Sequence, residues 1–312
     1  MSAPLALIGV PSSAGAFAPG QERAPEALRA AGLKEKLGAT GFEVTDRGDS
    51  APFRWRPDSA SPHAQNADAV RAAALDTAAR VEQSIAAGEL ALVLGGDCTI
   101  ELGTVAGSER SVGRTGLVYF DVHPDLNVPA ESAPGALDWM GCAHMLGVEG
   151  AVPELVRLDG HAPLLRPDDI LFFAYGPEQA TQFEREQLEL LDPRRVPVDR
   201  VASDPEGEAE RAVSEFAPGF DRLLVHFDVD TIDFTDAPLS ENPGRNEGLP
   251  MDAAMAALRV LVGADTLAAL TVTELNPLHG AEDGSTVERF VDALVECLRP
   301  AACRTCGSSP PS

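Results

Sequence analysis

Residues 116–125 read GLVYFDVHPD, an apolar run that breaks off into Asp121, His123 and Asp125. An unbroken apolar run of this kind is what a strand covered on both faces needs. The polar residues behind it belong to the loop at its carboxyl end. Three more segments have the same form. DRLLVHFDVD (221–230) ends in Asp228 and Asp230, ELALVLGGDC (89–98) ends in Asp97 and Cys98, and TLAALTVTELNP (266–277) ends near Glu274. LALIGV (5–10) and DILFFAYG (169–176) are further buried-strand runs.

Helical patterns lie between these runs. Residues 66–88 place Val70, Ala74, Ala78, Val81 and Ile85 on one face, and Gly88 supplies a stop. Residues 184–191, MDAAMAALRVLV (251–262) and VERFVDALVECL (287–298) also read as helix. Strand and helix in alternation predict an α/β fold: a three-layer sandwich with a mostly parallel central sheet. The stretch 48–65, rich in Pro and Ser, reads as a surface loop. No linker divides the chain, so residues 1–300 are expected to form one catalytic domain and residues 301–312 a disordered C-terminal tail.

Composition narrows the function. The chain has 312 residues, a formal net charge of -25 and 44% hydrophobic residues, enough for a sizeable core. Such an acidic surface repels phosphate backbones, which excludes nucleic acid as a partner, and it suits a cationic small substrate. No apolar stretch approaches the roughly 18 residues of a membrane span. The opening MSAPLALIGV lacks the basic region and cleavage site of a signal peptide, so a cytoplasmic location is expected. The cysteines are Cys98, Cys142, Cys297, Cys303 and Cys306, too few and too scattered for a disulfide framework. The Cys303/Cys306 pair has no second pair with which to build a zinc site and reads as incidental.

In a parallel sheet, ligands bind beyond the carboxyl ends of the strands. The acidic strand ends should therefore converge. Like charges so gathered need a cation to neutralise them, and carboxylates with an imidazole suit manganese or a similar hard divalent ion. In an extended segment Asp121, His123 and Asp125 would share one face, as would Asp228 and Asp230.

Taken in order, GGDC (95–98), DVHPDLN (121–127), FDVDTID (227–233) and TELNP (273–277) resemble the ureohydrolase family, which includes arginase, agmatinase and formimidoylglutamase. IGVPSSAG (8–15) and APEALRAAGL (24–33) resemble that family's opening, and the likeness spans about residues 5 to 298. The resemblance implies an arginase-like fold and a manganese-dependent hydrolase of a linear C–N amidine bond. Its substrate would be a guanidino or hydroxyguanidino amino acid, and it would release urea. It further implies that Asp121, His123, Asp125, Asp228 and Asp230 hold a manganese pair, with Asp121 and Asp228 bridging. Asp125 would also accept a hydrogen bond from the hydroxide nucleophile, and Glu274 would take the guanidinium. Asn127 belongs to the substrate-recognition set. A homo-oligomer, trimer or hexamer, is implied as well.

Two positions depart from that pattern. Cys98 stands where most of the family has a metal-binding histidine. A thiolate is a softer ligand than manganese prefers, so two ions are expected, or one if Cys98 does not ligate. Relatives acting on hydroxylated arginine carry cysteine here, which brings hydroxyarginine forward. Cys98 packing as a small buried residue is the alternative. In PGALDW (134–139), Asp138 replaces the acid–base histidine of arginases and Pro134 the serine that binds the substrate α-carboxylate. Asp138 can shuttle protons, bind a cation or face solvent. His226, two residues before Asp228, offers either a nitrogen ligand or a hydrogen-bonded core histidine. His144 reads as a packed helix residue, and His279 is undecided. In the mouth segment 237–250, Glu241, Arg245 and Glu247 are specificity candidates or plain surface polarity. The competing functions are a formimidoyl or amide hydrolase of the same family, a thiol hydrolase using Cys98, and an inactive oligomeric relative.

Overall fold

The computed structural model describes residues 2–303 except Asp159, His161 and Asn246. Eight strands form one sheet: β1 (Ala3–Gly9), β2 (Phe42–Asp49), β3 (Leu90–Leu94), β4 (Thr115–Phe120), β5 (Ile170–Tyr175), β6 (Arg194–Pro197), β7 (Arg222–Asp228) and β8 (Leu267–Thr273). Their order is β2-β1-β3-β8-β7-β4-β5-β6, and every neighbouring pair is parallel. The four runs with polar ends therefore lie side by side, as β3-β8-β7-β4, at the middle of the sheet.

Alternation along each strand divides the core into two layers. Leu92, Val118, Phe120, Leu223, Val225, Phe227, Leu270 and Val272 face one way, against the helices Met251–Leu261 and Ser285–Cys303. Ala91, Val93, Leu117, Tyr119, Leu224 and Ala269 face the other, against the helices Ala67–Ala86, Glu101–Glu109 and Gly141–Leu146. The expected helical face is realised: Val70, Ala74, Ala78 and Val81 are buried. On the first layer Phe120 meets Phe173 and Phe227 at ring distances of 4.9 and 5.2 Å. Burying each such ring contributes on the order of 2 kcal/mol, and this cluster props up the ends of β4 and β7, where the site begins.

β2 and β6 escape a reading for apolar runs because both are edge strands. β2 (FEVTDRGD) buries only Phe42 and is otherwise exposed or half-buried, and β6 (RRVP) has four residues. The last helix continues to Cys303, three residues beyond the boundary expected for the domain. Residues 304–312, with Cys306 and hence the expected tail and CxxC pair, lie outside the described residues. Among the described residues no helix is long and apolar enough to cross a membrane.

Candidate metal and substrate site

Polar side chains from β3, β4, β7 and β8 converge beyond the carboxyl ends of those strands. They surround a cavity of ≈ 290 Å³. Cys98, His123, Asp125, Asp228, Asp230 and Glu274 line its floor; Asn127, Asp138, Trp139, Thr181, Glu241 and Asn242 line its walls.

The backbone explains the convergence. Residues 121–125 are not extended as expected. Instead the Asp121 Oδ1 accepts the N–H of His123 at 2.7 Å, and the Asp228 Oδ1 accepts the N–H of Asp230 at 2.6 Å. Each acidic strand end thus curls over its own carboxylate, an Asx turn, and brings the i and i+2 side chains together. Asp125 and Glu274 have positive φ, 48° and 61°. Left-handed backbone is costly for residues with a Cβ and is held here by the surrounding packing. The turn after β3 depends on glycine: a Cβ on Gly96 would stand 1.6 Å from the carbonyl oxygen of Ser12.

Two groups of closely spaced donor atoms result, and Asp121 belongs to both. Asp121, His123 and Asp230 form the outer group; Cys98, Asp121, His226 and Asp228 form the inner one. His123 Nδ1 is 3.0 Å from Asp230 Oδ2. Asp121 Oδ2 and Asp230 Oδ1 are buried without a hydrogen-bond partner among the described residues. An orphaned buried carboxylate oxygen is expensive, and a divalent cation would satisfy both. The donors therefore fit a metal pair. Asp125 lies in the same cavity but in neither group; the Tyr119 hydroxyl donates to its Oδ2.

The electrostatics say the same. Burial, with Asp230, Asp121 and Glu274 close by, holds the Asp228 carboxyl well above the usual carboxylate range. Burial and Asp121 do so for Asp125. Burial pulls His123 down, but Asp230 and Asp121 outweigh it and raise the imidazole well above its ordinary value. In the same pair burial pushes Asp230 up, and His123 outweighs it to leave Asp230 lowered. Burial and then Asp228 push the Cys98 thiol up, and its Sγ donates to Asp228 Oδ2 at 2.8 Å. So many unneutralised acids in one cavity call for a cation.

Within this floor, Glu274 is fixed by two donors: the N–H of Cys98 reaches Oε1 at 3.0 Å and Gln21 Nε2 reaches Oε2 at 3.0 Å. Asp138 is 4% exposed, so it does not face solvent. Burial, and then Glu274 and Asp97, hold its carboxyl well above the usual range. Asn127 lines the wall and accepts the Thr181 hydroxyl at 3.0 Å. Pro134 is exposed and away from the cavity lining.

The remaining candidates sort by contact. Asp97 is a brace rather than a ligand: it is fully buried and accepts from the N–H groups of Gly15 and Thr99. His144 is a packed helix histidine whose pKa burial lowers to about 4. His279 lies against the Ser240 carbonyl at 2.8 Å, under the rim. Of the mouth-loop candidates Glu241 lines the cavity, while Arg245 lies over the Phe234 ring and Glu247 is exposed. The sequence reading overlooked Tyr119, Glu101 and Thr273. Glu101 carried a signal, three residues after Cys98 on the same turn.

The arginase of Bacillus subtilis is 26% identical over 297 residues, 95% of this chain and 98% of its own. The arginase of Brevibacillus brevis is 29% identical over 286 residues, 91% and 94% of the two chains. The crystal structure of the Bacillus subtilis arginase superimposes with a TM-score of 0.83 at 25% identity, covering 95% of this chain and 98% of that one. Residues 3–299 match the Arginase family as a whole. The family match over nearly the whole chain and the full-length likeness in sequence and fold agree, and the chain belongs to the arginase family.

Proposed function

We propose that this protein is a metal-dependent hydrolase of a linear C–N amidine bond, with a guanidino or hydroxyguanidino amino acid as substrate and urea as a product. The observation that carries the reading is the pair of donor groups sharing Asp121, with unpartnered carboxylate oxygens, lining one small cavity together with Glu274. Asp121, His123, Asp228 and Asp230 are the residues to hold manganese, with Asp125 beside them. Bound divalent ions would supply the Lewis acidity that makes water a nucleophile at neutral pH.

The chain's own groups do the rest. Glu274 presents two oxygens whose orientation Gln21 and the Cys98 amide fix, a match for the paired N–H donors of an amidinium. The acidic walls favour a cationic substrate. Asp125, held by Tyr119, accepts a proton as water adds to the amidine carbon. Asp138, a carboxyl raised by burial, is placed to give a proton to the leaving amine.

Cys98, at the position where the relatives acting on hydroxylated arginine carry cysteine, is what brings hydroxyarginine ahead of arginine. Asp138 replaces the expected histidine, Pro134 is out of the cavity, and no Lys or Arg is among the described residues lining it, so the α-carboxylate of either substrate lacks a charged partner there. The same gaps leave room for a formimidoyl substrate. Cys98 is a poor candidate for a thiolate nucleophile, because the groups facing it are acids.

The test is product release by manganese-loaded protein, with and without a chelator. Urea from hydroxyarginine faster than from arginine, abolished by chelation, is the expected result. Release of formamide from a formimidoyl amino acid instead would move the substrate class. No turnover of any of these compounds would mark an inactive relative. Activity that survives chelation but not thiol alkylation would transfer the chemistry to Cys98.

A further inference from the structure

The inner donor group differs in kind from the outer one. Its members are a thiol, an imidazole and two carboxylates, all buried: Cys98, His226, Asp121 and Asp228. His226 is 0% exposed and stacks on Tyr119, ring centroids 4.2 Å apart. Its Nδ1 lies 3.3 Å from Glu101 Oε2, and its Nε2 lies 3.3 Å from the Thr273 hydroxyl. That hydroxyl is also 3.5 Å from Cys98 Sγ, so Nε2 and Sγ face a common point. Glu101 is fully buried too, and its Oε1 has no hydrogen-bond partner among the described residues. A buried carboxylate that orients an imidazole from behind, with the other ring nitrogen turned toward the remaining donors, is how metal-binding histidines are usually supported. A hydroxyl alone would satisfy a structural histidine, whereas burying a carboxylate beside it is costly.

We propose that Cys98 Sγ, His226 Nε2 and one carboxylate oxygen each of Asp121 and Asp228 form a mixed-donor site that selects a borderline ion, zinc or cobalt(II), over manganese. Glu101 is a positioning residue for His226. The proposal rests on the metallohydrolase reading, which supplies the outer ion. His226, on β7, comes close to the short Cys98 side chain, with the Thr273 hydroxyl in contact with both. A thiolate and an imidazole together favour the borderline ion, and ion size does the same at four donors. The outer group, with carboxylates and one imidazole, keeps its preference for manganese. The two positions would then hold different metals.

Metal-free protein is titrated with cobalt(II), zinc and manganese, reading metal content, competition and the near-ultraviolet thiolate-to-cobalt band. Wild type should bind one cobalt or zinc per chain with that band and accept manganese beside it. His226→Gln should weaken the zinc or cobalt affinity by about 100-fold or more and shift the band, with manganese binding and far-ultraviolet circular dichroism unchanged. Glu101→Gln should weaken the same affinity by about 10-fold, as loss of a ligand's partner does. If His226→Gln does not fold, Glu101→Gln decides. Unchanged zinc affinity and an unchanged cobalt band in the folded variants would overturn the proposal, as would two manganese ions bound in preference to zinc. Manganese bound at the outer group without an inner zinc would sink this inference alone; no ion at either group would sink the metallohydrolase reading with it.

Discussion

The floor and the rim of the cavity are built differently. Every floor residue stands at the end of one of four adjacent central strands, β3, β8, β7 and β4, whose register the sheet fixes. The rim comes from the connecting segments and short helices beyond the strands: residues 127–140, the 176–184 stretch after β5, and residues 239–245. On the floor, even the departures preserve a donor, since Cys98 still faces Asp228 and His226 stands beside it. On the rim, the departures change what is presented, a buried acid at Asp138 and an exposed proline at 134. A rigid sheet conserves chemistry to within a side chain's reach, whereas loops are free to exchange recognition.

The largest effect should come from breaking the floor. In Asp230→Asn the carboxylate that pairs with His123 is gone, and with it a donor of the outer group. Manganese content should fall, and turnover should drop by well over 100-fold, since even the partners of metal ligands are worth about 10–100-fold. Metal analysis and kinetics on one preparation check it; full activity in this variant would remove the floor from the chemistry. Next in size is Glu274→Gln. The amide keeps one acceptor but turns its NH2 toward either Gln21 or the Cys98 N–H, both of which are donors. Loss of a charged pair costs about 1.5–3 kcal/mol, so kcat/KM should fall about 10–100-fold, mostly through KM. A fall confined to kcat would place Glu274 with the nucleophile and not with the substrate.

The same division governs what the sequence made legible. Apolar runs ending in Asp, Cys or Glu reveal β3, β4, β7 and β8 and their convergence, because runs this short, flanked by Gly and polar residues, suit strands buried on both faces better than helices. The edge strands β2 and β6 carry no such constraint and went unread. The local path of 121–125 was also misjudged: alternation suggests an extended segment, but each strand-end aspartate captures the N–H two residues on. Spacing alone cannot distinguish an Asx turn from a strand. Asp138 was legible as a substitution but not as a buried group, since burial on a loop is decided by contacts far apart in sequence. The N–H of Asp138, for example, donates to the carbonyl of Gly15.

A third effect concerns the metal-free protein. Asp125, Asp138, Asp228 and Glu274 all have carboxyls raised well above their ordinary values, by burial first and by neighbouring acids next. An acid raised in the folded state holds its proton more tightly there than in the unfolded chain. Its stabilisation is complete below the unfolded value of about 4 and is lost as pH rises through the folded value. His123, also raised, acts in the same direction above its unfolded value of about 6.5. Chelated protein should therefore melt several degrees lower at pH 8 than at pH 5, and manganese should flatten that slope. Thermal unfolding with and without metal measures it. A chelated protein that grows more stable toward pH 8 would contradict the crowding of acids on the floor.

The smallest expected effect is the one that tests the rim most sharply. The sequence resemblance would put Pro134 where arginases carry a serine for the substrate α-carboxylate, and Pro134→Ser would then restore that residue type. In this fold, however, Pro134 is exposed and outside the cavity lining, and its carbonyl accepts the Gln65 side-chain N–H at 2.5 Å. That anchor uses the backbone and survives the substitution. The serine hydroxyl would then have water, not substrate, as its partner, and surface changes of this kind cost within about 0.5 kcal/mol. Catalytic efficiency on arginine should change by less than about 2-fold, the equivalent of that energy. A gain of tenfold or more on arginine and on hydroxyarginine, which share the α-carboxylate, would mean that the rim closes over the substrate and carries residue 134 inward. The rim would then be a recognition surface assembled on binding, and its contrast with the floor would be one of mobility as well as of residue type.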